Sequence, residues 1–221
     1  MALFRGPKIT TTGLVLALDA ADKNSYPGSG TSWKDLSGNN NTGTLTNGPT
    51  FSATNMGNIV FDGTNDYIQC GNNTSIQLTI GTISAWMKTT TNDSTYRAII
   101  SKQYNYALFV RNGYLVTFDW GNSLERSTSV NIIDGKWKNV VMTFTDNTGT
   151  PSNNAVFYIN GTAVLTSTIK LSSNSDNLLV GTNAVTQEFN GNIGNVFVYN
   201  RSLSSTEVLQ NYNATKSRFG Y

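Results

Sequence analysis

The feature that most constrains this chain is its punctuation. Short runs rich in β-branched and aromatic residues alternate with Gly/Asn/Asp/Ser clusters along almost its whole length, the signature of many short strands. The runs are 14–19, 58–61, 67–70, 79–88, 98–101, 106–111, 115–120, 137–144, 155–159, 164–168, 178–180 and 194–199. Asn112-Gly113 and Asn160-Gly161 each separate two of them. Both central residues of a type I′ turn need positive φ, which Asn and Gly tolerate. Hairpins are therefore predicted from 106–111 to 114–120 and from 155–159 to 162–168. Strands joined in this way suggest an all-β fold of two antiparallel sheets. One helix is expected near the end, where Ser204-Ser-Thr-Glu207 matches a capping box. Val208, Leu209 and Tyr212 would form its apolar face. The Gly/Asn/Thr-rich stretch 37–50 reads as a long surface loop.

Composition narrows the function classes. The 221 residues fit one large domain, long enough to bury roughly 70–75% of the extended chain's surface. Charged residues make up only 13%, about half the usual share. Aromatics reach 11% and net charge is +2, which favours a folded domain over disorder. There is no His, so a Ser-His-Asp triad, a Cys-His dyad and a His-ligated zinc site are impossible. The single cysteine, Cys70, rules out an internal disulfide and reads as a small buried hydrophobe. No basic run points to nucleic acid. No apolar stretch is long enough for membrane insertion, and no secretory leader is expected at the start.

The motifs then resemble a known family. The string Leu14-Val-Leu-Ala-Leu-Asp-Ala-Ala21, followed by Trp33-Lys-Asp-Leu-Ser-Gly38 and Val60-Phe-Asp-Gly-Thr-Asn-Asp-Tyr67, is similar to the opening of laminin-G-like, concanavalin A-like lectin/glucanase domains. Thr82-Ile-Ser-Ala-Trp-Met87, Trp137-Lys-Asn-Val-Val-Met-Thr-Phe144, Phe157-Tyr-Ile-Asn-Gly161 and Phe189-Asn-Gly-Asn-Ile193 continue the likeness to about residue 212. The resemblance implies a two-sheet antiparallel jelly-roll sandwich over 13–213, with an N-terminal arm at 1–12 and a C-terminal tail at 214–221. The opening phrase and the ending Tyr212-Asn-Ala-Thr-Lys-Ser-Arg-Phe-Gly also resemble virion structural proteins of tailed bacteriophages.

That resemblance implies a non-enzymatic virion protein, a capsid decoration, head fibre or tail-associated part. Its partners would be other virion proteins, sister copies and a host-surface glycan. A carbohydrate-binding module is the second reading and a polysaccharide hydrolase the third. Glycoside hydrolysis needs two carboxylates flanking one bond. The three glutamates, Glu125, Glu188 and Glu207, do not sit beside second acids on a strand. For glycan binding the candidates are Trp120, with Asp119 and Asn122, and Tyr96, Tyr104 and Tyr106: rings at loop rims flanked by polar forks. Trp86 and Trp137 read as core, and Trp33 as a plug at one end of the sandwich. Family members commonly hold calcium with an acidic pair after Phe-x-Gly-x-Ile, but here those positions are Gly194 and Asn195. Asp62 and Asp66 remain as candidate ligands, with an Asx-type turn as the competing reading. No other cofactor is expected. Phe4, Arg5 and Lys8 at one end, and Lys216, Arg218, Phe219 and Tyr221 at the other, are expected to anchor the chain to a partner.

Overall fold

The computed structural model describes residues 7–145, 152–172, 175–183 and 187–221. Its strands are β1 (Leu14–Asp19), β2 (Ser32–Trp33), β3 (Gly43–Thr46), β4 (Thr50–Ser52), β5 (Asn58–Asp62), β6 (Tyr67–Gln69), β7 (Gly81–Lys88) and β8 (Arg97–Lys102). They continue as β9 (Tyr106–Arg111), β10 (Tyr114–Asp119), β11 (Leu124–Asn131), β12 (Lys138–Phe144), β13 (Ala155–Ile159), β14 (Thr162–Ser167), β15 (Leu178–Val180) and β16 (Asn190–Tyr199). One helix follows, α1 (Ser205–Thr215), then a 3-10 turn over Lys216–Phe219.

The strands form two eight-stranded antiparallel sheets, the predicted jelly-roll sandwich. The first runs β14-β13-β12-β7-β16-β5-β4, with β1 also pairing along β16; the second runs β11-β10-β9-β8-β15-β6-β3-β2. β16 is long enough to pair β5 through Asn190–Ile193 and β1 through Asn195–Tyr199 on the same side. Both Asn-Gly hairpins form as expected. Asn112 and Gly113 have φ of 50° and 82°, Asn160 and Gly161 of 51° and 77°, and the flanking pairs Arg111↔Tyr114 and Ile159↔Thr162 close them.

Between the sheets lies one core, fed by alternate residues of each strand. It takes Tyr106, Leu108 and Val110 from β9, Leu178 and Val180 from β15, Ile68 from β6, and Ile83, Ala85 and Met87 from β7. Trp33 is fully buried in it.

Three expectations are corrected. The stretch 37–50 is not one long loop: β3 lies within it and pairs β2 and β6, and β4 begins at its end. Strand β11 was also missed. The boundary at 213 falls inside α1, so 214–221 is not a free tail. Helix and 3-10 turn cover the outer face of the first sheet, where Phe219 packs on Trp86 and Trp137 and Val208 on Tyr158 and Phe197. Trp86 and Trp137 are buried as expected, but under this cover rather than between the sheets.

Candidate functional site

The outer face of the second sheet carries an apolar cluster of its own. On β9, the residues alternating with the core set are Ala107 and Phe109; on β10 they are Val116 and Phe118. Small Ala98, Ala107 and Val116 form a buried floor, and Tyr96, Phe109, Phe118 and Trp120 stand on it. The rings meet edge to face: Tyr96 is 5.5 Å from Phe109 and 5.9 Å from Phe118, and Trp120 is 5.9 Å from Phe118 and 6.4 Å from Phe109, the arrangement that aromatic quadrupoles favour. They surround a hollow of about 190 Å³ whose polar rim is Asn183 and Gln187.

Asn183 also borders a second hollow of about 530 Å³ on the same sheet face, within the usual ~300–1,000 Å³ of small-molecule sites. Its lining is rich in amides, among them Asn47, Asn65, Gln69 and Asn177, around the exposed sides of Tyr67 and Leu179. Asp176 and Glu188 supply carboxylates, and among the described residues no Lys or Arg lines either hollow. The hinge between the two is well held. Asn183 accepts a hydrogen bond from the Ser101 hydroxyl and donates to Gln187 Oε1 at 2.8 Å.

Cations stiffen the apolar end from behind. Arg111 lies 4.6 Å from the centroid of the Tyr96 ring and donates to Glu125 at 2.7 Å. Burial, aided by the Glu125 carboxylate, pushes the Tyr96 phenol up to about 12, so it stays a hydrogen-bond donor at any ordinary pH. Arg97 grips Asp93 at 2.7 Å and donates to the Glu188 backbone oxygen at 3.1 Å, tying the Tyr96 loop to the strand that follows Gln187.

Of the residues singled out from sequence, Tyr96 and Trp120 lie in the hollow, and Tyr104, 51% exposed, stands on its edge with its ring 6.1 Å from Trp120. Tyr106 does not belong. Period-two alternation turns it into the core, where it is 1% exposed, stacks on Phe144 and donates to the Ile76 backbone oxygen at 2.7 Å. Asp119 and Asn122 form no polar fork either. Asp119 is 1% exposed and takes bonds from the Asn122 amide, Arg126 and the Lys170 backbone N–H; together they tie the end of β10. Phe109, Phe118, Asn183 and Gln187 were missed. The run Tyr106-Ala-Leu-Phe-Val110 carried the signal, because a strand apolar at every position must be covered on both faces.

Asp62 and Asp66 serve the turn between β5 and β6. Asp62 Oδ1 accepts from Thr64 N–H at 2.8 Å, and Asp66 Oδ2 from Asp62 N–H at 3.0 Å. Burial raises the Asp66 pKa, with the charge of Asp62 adding to it. The donor set does not fit calcium, which takes six to eight oxygens, several anionic. At the family's acidic-pair positions, a side chain on Gly194 would meet the Phe219 ring, and Asn195 is sealed at 0% exposure.

The terminal anchors turn inward. Phe219 is 4% exposed. Arg218 pairs with Asp19 and donates to the backbone oxygens of Asn55, Gly57 and Gly194. Tyr221 donates to the Trp137 backbone oxygen at 2.6 Å, and Lys216 sits over the Tyr212 ring. Burial against their own chain removes Phe219 and Arg218 as anchors for a partner. Lys8 stays exposed, although its backbone oxygen accepts from Gln210. Phe4 and Arg5 lie outside the described residues.

Two stacked antiparallel sheets, with a ring-floored hollow on the open face of one, define a jelly-roll sandwich of the lectin-like class. The chain belongs to the concanavalin A-like lectin/glucanases superfamily, whose Laminin_G_3 family matches residues 62–209. Comparison with curated protein sequences gives no match. Among solved structures, the binding domain of Paraclostridial Mosquitocidal Protein 1 superposes with a TM-score of 0.71 at 19% identity, over 91% of this chain and 52% of that one. Domain 4 of AbnA, an extracellular arabinanase from Geobacillus stearothermophilus solved with arabinotriose, gives 0.67 at 17% identity, over 90% of this chain and 98% of that one. The binding domain of botulinum neurotoxin DC with SialylT gives 0.71 at 17%, over 93% and 52%. The chain thus spans about half the length of the toxin binding domains, and at these identities the likeness is one of fold.

Proposed function

We propose that this protein is a non-catalytic virion structural protein of a tailed bacteriophage, a lectin-like jelly roll that stands on a capsid or tail surface and holds a host-surface glycan. The observation that carries the glycan reading is the pair of hollows sharing Asn183: rings for the apolar faces of a sugar at one end, amides for its hydroxyls at the other. Similar folds solved with arabinotriose and with SialylT support it. The virion setting rests on the resemblance of the chain's opening and ending, and the layout suits it. The arm at 7–12 and α1 lie on the outer face of the first sheet, and the hollows on the outer face of the second. A module fixed through the first face would present the second outward. Many copies on one particle, contacting each other and other virion proteins, would turn weak contacts into avidity.

A glycan array with the purified protein, followed by titration of the best hit, tests the binding. Trp120→Ala and Phe118→Ala should each weaken it at least tenfold while Phe219→Ala leaves it unchanged; an array with no hits would remove the reading. Mass spectrometry of purified particles tests the setting. Asp176 and Glu188 in one groove keep a hydrolase in view. Release of reducing ends that stops in Glu188→Gln would replace adhesion by hydrolysis.

A further inference from the structure

Lysine is almost never fully buried unless paired, yet Lys102 is 0% exposed. It closes β8 on the inner side. Its cross-strand partners Leu178 and Tyr106 belong to the main core, as does Ile100 two residues before it. Its Nζ meets two oxygens, Oδ1 of Asn72 at 2.6 Å and the backbone oxygen of Asp176. Among the described residues no carboxylate forms an ion pair with it. Burial lowers the pKa of this ammonium, and the charge of Asp176 only partly opposes that. More of this amine is therefore uncharged, with its lone pair free, than of an exposed lysine. The Asn72 oxygen also accepts from Gln77 Nε2 at 3.3 Å, a donor placed to stabilise negative charge on that oxygen. Lys102, Asn72 and Gln77 line neither hollow on the opposite face of the sheet.

We infer that Lys102 and Asn72 join in an intramolecular isopeptide bond. The Nζ lone pair attacks Cγ of Asn72, and charge gathers on Oδ1 beside Gln77. The Nζ–Cγ bond forms and the Cγ–Nδ2 bond breaks. The proton lost from Nζ passes to Nδ2, which leaves as ammonia. An amine and an amide give a new amide and ammonia, so no oxidant or further reactant is required. The fold supplies the proximity. The product replaces a buried ionisable group with a neutral amide, which ends the desolvation penalty. Asn72 follows β6 and Lys102 ends β8, with β15 between them in the sheet. The bond would lace three strands together and close the loop 72–102, restricting the unfolded chain as a disulfide does. The chain's single cysteine cannot do this from within.

Intact-mass measurement of the full-length protein under denaturing conditions tests the inference directly. The mass should be one ammonia below that of the sequence, and peptide fragmentation should recover a branched species joining Lys102 to Asn72. Lys102→Arg and Asn72→Ala should show no such loss, and both should melt at lower temperature. A folded wild-type protein at full sequence mass, unchanged after prolonged incubation, overturns the inference and leaves Lys102 as a hydrogen-bonded strut.

Discussion

Phe219 lies nearly flat on Trp86, with ring centroids 4.2 Å apart and planes 17° apart, and tilts against Trp137 at 4.7 Å. It reaches this place because Gly194 beneath it has no side chain: a Cβ there would press into the ring. The departure from the family's acidic pair at 194–195 thus has a packing counterpart. A carboxylate-bearing side chain at 194 and the Phe219 ring compete for the same space. Phe219→Ala should cost about 3–5 kcal/mol, the usual range for truncating a buried aromatic, read as a lowered urea midpoint. Asn211, buried on α1, makes a second point about single residues. Its amide donates to the Tyr199 hydroxyl at 3.0 Å and its oxygen accepts from Thr10 N–H at 2.7 Å. A polar side chain thereby fixes the N-terminal arm.

At the scale of elements, α1 is the helix the capping box foretold. Ser204 accepts from the Glu207 N–H, and Glu207 accepts in return from Ser204 N–H at 2.9 Å. Ser204→Ala should lower stability by about 1 kcal/mol, measurable by thermal melting. Arg201 grips the same carboxylate at 2.6 and 3.0 Å. That guanidinium first, and the Ser204 N–H second, hold the Glu207 pKa down from 4.5 to about 2. A carboxylate depressed in the folded state contributes stability above its unfolded pKa and loses it as pH falls toward the folded one. An acid titration of the melting temperature should therefore drop between about pH 4.5 and 2, and Glu207→Gln should flatten that part of the curve. Leu209 is the member of the expected apolar face that the helix leaves largely outside, at 46% exposure. The missed strands have two causes. β11, with the sequence Leu-Glu-Arg-Ser-Thr-Ser-Val-Asn, edges the second sheet and is mostly solvated, and an edge strand need not alternate apolar and polar residues. β2, β3 and β4 are two to four residues long, too short to show a period.

Across the whole molecule, the two outer sheet faces have opposite fates. One is roofed by the arm, α1 and the 3-10 turn; the other keeps its aromatic cluster open enough to leave hollows. Removing 205–221 should strip the roof. Trp86 and Trp137 would meet water, and the truncated protein should show red-shifted tryptophan emission and bind a hydrophobic dye. Unshifted emission would mean that the roof is not what shields them. Because the roof and the ring-floored hollow lie on opposite faces, variants of one should leave the other intact, as energies at well-separated sites add.

Local chemistry wrote much of this into the chain. The all-β class, both Asn-Gly turns, the capping box and the family membership depend on residues close in sequence, whose φ preferences and hydrogen bonds do not wait for distant partners. Tertiary structure alone decided which side of the sheet each ring packs on. Tyr106 and Phe109 are three residues apart on one apolar strand, and only the packing of a second sheet against one side makes the first a core residue and the second part of the outer ring cluster. It also decided that the basic-aromatic ending is a roof rather than a free arm, because the space above Gly194 exists only once β16 has paired with β1 and β7. Lys102 and Asn72 stand thirty positions apart in the sequence, and only the order of strands in the second sheet brings amine and amide within reach.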